Sequence, residues 1–138
     1  MLDDLVVWLK FQLAREEAMA RDAGDGDAGR WNFETDSGGG CAQIRNGVGD
    51  VVVYGEGNAT DEEAAHIAYH DPLFVSSDIS AKRRIIIRCL EVIETASDHH
   101  TVESCDEDDA VLAEAVLRAL ASAYADRPGY REKWRPWC

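Results

Sequence analysis

Basic residues are scarce in this 138-residue chain: 14 lysines and arginines stand against 27 aspartates and glutamates, giving a formal charge of −13 at pH 7. Phosphate backbones and anionic membrane surfaces attract cations, so this balance argues against direct binding to either. Long apolar runs are missing too. Ile85-Ile86-Ile87 is bracketed by Arg84 and Arg88, and no stretch approaches the length of a membrane span. Met1-Leu2-Asp3-Asp4 lacks the cationic start of a secretory leader, so a cytoplasmic protein is expected. Four cysteines, at positions 41, 89, 105 and 138, form no C-x-x-C pair and no dense framework. In a reducing compartment they are free thiols, with Cys89 a small core residue.

What is present begins with a helix. Leu2, Leu5, Val6, Leu9 and Leu13 recur with a period of 3.6, predicting a helix over 1–22. A thinner stripe, Val7, Phe11, Ala14 and Ala18, lies on roughly the opposite side of the same cylinder. Such a helix is either sandwiched within the fold, the reading favoured here, or shared with a second copy of the chain as a homodimer. Asp22 to Gly29, rich in glycine and aspartate, ends it.

Residues 31–55 change texture. Trp31-Asn32-Phe33 alternates, Cys41 to Arg45 is short and mixed, and Val51-Val52-Val53-Tyr54 is β-branched and aromatic, predicting two or three strands with a reversal at Asn46-Gly47. Gly38-Gly39-Gly40 has no Walker-type lysine and is flanked by acids, so it reads as a connector rather than a phosphate loop.

The stretch HIAYHDP, residues 66–72, holds the most chemistry. Thr60 followed three residues later by Glu63 has the form of a capping box, so a helix starts there and carries His66 and His70 on one face. Pro72 disfavours the α conformation at Asp71, so that helix stops near His70. Proline suits the first turn of a new helix and Asp71 can cap it. The motif thus reads as helix, corner, helix, with His70 meeting the free carbonyls of a helix end. The competing reading is a zinc site on His66 and His70, completed from afar by His99 or Cys105. The glutamate that follows the first histidine of a metalloprotease helix is replaced here by Ile67.

Ile79, Ile85, Ile86, Cys89, Leu90 and Ile93 predict a long core helix over 79–96, opened by Asp78 or Ser80. Its basic run Lys82, Arg83, Arg84 and Arg88 is expected to pair with acids elsewhere in the chain. An acidic loop over 97–109 follows, without EF-hand spacing, and then a helix over 108–124 that carries the apolar Val111, Leu112, Val116, Leu117, Leu120 and Ala121. In the tail, 125–138, Arg127, Arg131, Lys133 and Arg135 interleave with Tyr130, Trp134 and Trp137. Tyr124, Arg127, Tyr130, Arg131 and Trp134 are residue types that dominate binding hot spots, and they also fold readily onto an acidic body, which is expected here.

HIAYHDP, the AKRRI of residues 81–85, the tail YADRPGYREKWRP at 124–136 and the amino-terminal LDDLVVWL together resemble a family of small actinobacterial and actinophage proteins classed as a domain of unknown function. Those proteins read close to HIARHDP, an AKRRI-type helix and a terminal YADHPDYREEWRP. The resemblance implies a phage or actinobacterial cytoplasm and no particular activity. It also implies a cysteine-bearing, zinc-binding insert between the AKRRI helix and the tail, of which this chain keeps only Cys105, with His99 and His100 nearby.

The expected fold is α+β: a single domain over 1–138 with three to four helices, a small antiparallel hairpin or three-stranded sheet over 31–55, and two helices over 60–98 with a corner at 71–72. No nucleophile–base pair or clustered carboxylate motif supports an enzyme. The expected function is accessory, through binding another protein, with a basic one matching the charge of the chain, and without a cofactor. A zinc-binding regulatory module on His66 and His70 is the alternative, and an acidic mimic of nucleic acid the third.

Overall fold

The computed structural model describes residues 2–35, 42–54, 59–98 and 104–137. It contains four helices, α1 (Leu2–Ala23), α2 (Asp61–Tyr69), α3 (Pro72–Asp98) and α4 (Ser104–Ser122), and three strands, β1 (Trp31–Glu34), β2 (Gln43–Asn46) and β3 (Val51–Val53). The fold is α+β and mainly helical. Residues 15–79 form one compact unit; residues 1–14 with 80–138 form the other.

In the 15–79 unit the strands make an antiparallel sheet in the order β1-β2-β3. Phe33 pairs with Ile44, and Ile44 with Val53, after which a bulge shifts the register so that Arg45 pairs with Val51. The chain reverses at Asn46-Gly47, as expected. The Asn46 side-chain oxygen accepts from Val48 N at 3.2 Å and Asp50 N at 3.0 Å, and Gly49 takes φ +91°, a region that favours glycine. Gly47 N donates to Asp27 O at 2.9 Å, and a Cβ at position 47 would sit 2.4 Å from that oxygen, so only glycine fits. Beneath the sheet, Ala42, Ile44, Ala64 and Ala68 form a buried cluster with Trp31, Phe33, Val52, Val53 and Ala59 packed on it.

In the other unit, Leu5, Leu9 and Leu13 of α1, Ile86 and Cys89 of α3, and Leu117 and Ala121 of α4 are buried, as the helical stripes predict, and Trp134 of the tail is buried as well. Four expectations need correcting. The second stripe of α1 is not sandwiched: Val7 is 69 % and Phe11 63 % exposed, and Ala14 and Ala18 are exposed as well. The long helix opens at Pro72 with Asp71 as its cap, as the corner predicts, and not at Asp78 or Ser80, six and eight residues further on, where the apolar stripe alone would start it. α4 begins at Ser104 rather than at 108 and takes in part of the acidic stretch expected as a loop. Ile85, Val111 and Leu112 are exposed rather than core, because the buried arcs of α3 and α4 are narrower than their apolar content suggests. Gly38-Gly39-Gly40 lies outside the described residues.

Candidate functional site at the corner between α2 and α3

The corner is built from local chemistry. Thr60 caps α2: its hydroxyl accepts from Glu63 N at 3.2 Å, and the Glu63 carboxylate reaches back to the hydroxyl at 3.2 Å. Asp61, Glu62 and Glu63 occupy the first turn, where a carboxylate meets the positive end of the helix dipole, and all three are exposed. Ala64 and Ala68 turn inward onto the sheet, so His66, Ile67, Tyr69 and His70 turn outward.

At the carboxyl end of α2 the ring Nδ1 of His70 lies 2.9 Å from His66 O. A carbonyl only accepts, so Nδ1 carries the proton of this hydrogen bond. The two imidazoles lie with centroids 4.4 Å apart. One residue further on, Asp71 is 9 % exposed and spends both carboxylate oxygens. One oxygen accepts from Phe74 N at 2.7 Å and caps α3; the other accepts from Trp31 N at 3.0 Å and holds the start of β1. A buried carboxylate costs free energy unless its oxygens are bonded, and here both are.

This anchored turn displays rings. Tyr69 meets His70 at 5.2 Å and Phe74 at 5.4 Å between centroids, and His70 meets Phe74 edge-on at 5.6 Å. Tyr69 is 68 % exposed, Phe74 42 % and Leu73 40 %. Beside the histidines, which the motif makes conspicuous, Tyr69, Leu73 and Phe74 complete the outward face and are not marked by it. The available signal was an aromatic at 69 and another five residues on, on either side of a proline corner that turns both outward.

For a metal, the corner supplies two imidazoles. His99 and the side chain of Cys105, the other proposed ligands, lie outside the described residues, and among the described residues no three histidine, cysteine, aspartate or glutamate side chains gather as a metal group. A structural zinc site needs four ligands, so the described corner supplies half of one.

The tail residues proposed for binding belong to the other unit and are largely engaged there. Trp134 is 2 % exposed, 5.4 Å from the ring of Trp8 and 5.9 Å from that of Tyr130. Trp8 Nε1 donates to Pro128 O at 3.1 Å. Arg131 pairs with Asp4 at 2.9 Å and lies over the Trp134 ring. Lys82 Nζ donates to the hydroxyl of Tyr124 at 3.4 Å. Arg127 is exposed beside Asp126, 3.9 Å away. The tail therefore docks on its own unit, as expected from its composition. One anchor was not foreseen: Arg118, 5 % exposed, forks onto Glu114 at 2.8 and 3.1 Å, donates to Lys133 O and lies under Trp137. The i,i+4 spacing of Glu114 and Arg118 was its only trace in the sequence.

The described features are those of a small α+β protein with an anchored corner, a docked tail and an outward aromatic cluster. Residues 2–136 match the model of a family of unknown function, DUF6221, and the chain belongs to that family. No curated protein and no solved structure matches it. No helix among the described residues is long and apolar enough to cross a membrane.

Proposed function

We propose that the protein is a non-enzymatic binding module that docks another protein on the corner between α2 and α3. The observation that carries this reading is the exposed cluster of Tyr69, His70 and Phe74, whose rings brace one another while Leu73 and Ile67 lie open beside them. Rigid aromatic side chains lose little conformational freedom on binding and dominate interface energetics. Asp61, Glu62 and Glu63 stand at the other end of α2, so the partner is expected to set basic residues around an apolar centre. The likeness of its motifs to those of small actinobacterial and actinophage proteins is what supports an accessory role in such a cytoplasm. The test is a tagged-protein capture from lysate of the source cells, comparing the wild type with a Tyr69→Ser, Phe74→Ser variant of unchanged melting temperature. Loss of a specific partner from the variant supports the reading; identical captures refute it.

A second reading has its own observation, the His66 and His70 rings 4.4 Å apart. It makes the corner part of a zinc-binding regulatory module, with His99 and Cys105 as further ligands. Elemental analysis of the purified protein tests it: about one zinc per chain, lost in His66→Ala, is the expected result, and zinc at background level removes it.

A further inference from the structure

We propose that α1 pairs with α1 of a second copy of this chain, antiparallel, through the stripe Val7, Phe11, Ala14 and Ala18. The face is independent of the corner described above. Along α1 the buried leucines Leu5, Leu9 and Leu13 define one side, and the 100° turn per residue puts this stripe opposite them. Its spacing, four, three and four residues, is that of a two-stranded coiled-coil seam. Val7 at 69 % and Phe11 at 63 % exposure are costly surface for a helix whose other side is already a core face.

Two features single out a second copy as the occupant. The first is size. The stripe is large at its amino end and small at its carboxyl end, so an antiparallel pair sets Phe11 against Ala14 of the second copy and Val7 against Ala18. A parallel pair would stack Phe11 on itself and leave the alanines facing each other across a gap. The second is charge. Asp3, Lys10, Glu17 and Arg21 follow one another along one flank of the stripe with alternating sign. In the antiparallel pair each flank faces its own copy reversed, so Asp3 meets Arg21 of the second copy and Lys10 meets Glu17. In a parallel pair these flanks would not meet. Glu17 and Arg21 also pair within each copy at 3.1 Å, so the flank joins into a network of both signs. On the other flank Asp4 and Asp22 approach each other across the pair, and Arg131 already offsets Asp4 at 2.9 Å. One helix pair covers well under the roughly 1,600 Å² of a standard interface, so association in the micromolar range is expected.

Sedimentation velocity across micromolar concentrations tests the proposal. The expected mass rises with concentration from 15.2 kDa toward twice that value. Phe11→Glu and Ala14→Glu each place a charge in the seam on an exposed position, and should keep helix content and melting temperature while staying at the monomer mass. Arg21→Asp should weaken the dimer several-fold, and adding Asp3→Lys should restore it. A wild type that stays monomeric at the highest concentration overturns the proposal. So does a Phe11→Glu variant that dimerises as the wild type does, or a double charge variant no tighter than the single one. The Tyr69→Ser, Phe74→Ser variant should dimerise normally, which separates this test from that of the corner.

Discussion

One carboxylate oxygen of Asp71 accepts the backbone N–H of Trp31 at 3.0 Å, tying the first residue of β1 to the cap of α3 across 40 positions of sequence. The other oxygen accepts from Phe74 N at 2.7 Å. One side chain therefore fixes both the angle at which α2 hands over to α3 and the edge of the sheet beneath them. Asp71→Ala removes a helix cap, costing about 0.5–2 kcal/mol. It also orphans a part-buried N–H, costing about 1–3 kcal/mol. A loss of roughly 2–4 kcal/mol in urea unfolding is expected, with Asp71→Asn milder because its single carbonyl oxygen still serves one of the two donors. Equal losses for the two variants would show that the paired acceptance is not what matters.

His70→Ala should act on stability. The ring N–H to His66 O bond closes the carboxyl end of α2 in a part of the chain open to water, and removing such a bond costs about 0.5–1.5 kcal/mol. Thermal melting of the variant checks this, and an unchanged midpoint would count against the histidine as a brace for the corner. His66→Ala, whose carbonyl survives the substitution, should cost less.

Trp134→Ala should be the most damaging change in the tail. The indole is 2 % exposed against Trp8 and Tyr130, and truncating a buried tryptophan costs about 3–5 kcal/mol. Near-ultraviolet circular dichroism should lose the Trp8–Trp134 signal, and amide exchange should quicken over 124–137. Trp137→Ala, 54 % exposed, should leave both nearly as they were.

Burial pushes the Cys89 thiol above its ordinary value of 9.0. The thiolate is the reactive species, so residue 89 should resist iodoacetamide at about pH 8 in buffer and react once urea unfolds the chain, read by peptide mapping. The sign of the pH dependence follows from the raised value. The neutral thiol's contribution to stability is complete below the unfolded-state value and is lost as pH rises through the folded one. Cys89→Ala should therefore narrow the loss of stability between neutral and alkaline pH, and an identical loss in both proteins would refute this.

Local sequence sufficed wherever a structural decision is made within a few residues. The capping box at Thr60 and Glu63, the stop at His70, the reversal at Asn46-Gly47 and the buried stripe of α1 depend on side-chain-to-backbone bonds, proline geometry and a 3.6-residue period, and each is legible in the letters. The α+β class follows from those elements taken in order. The histidine pair was visible for the same reason, since i,i+4 residues on a helix are neighbours by construction.

Tertiary structure decided what periodicity leaves open: which apolar face finds cover, and which polar group finds a distant partner. Val7, Phe11, Val111 and Leu112 carry the pattern of core residues and find no cover among the described residues of their own chain, whereas Arg118, charged and inconspicuous, is buried under Trp137 and forked onto Glu114. Asp71 looked like a cap and is also the acceptor for Trp31; Tyr69 and Phe74 looked unremarkable and form the exposed cluster. A helix repeat says where a side chain points relative to its neighbours in the chain. What stands opposite it is set by residues tens of positions away, and only their packing supplies that.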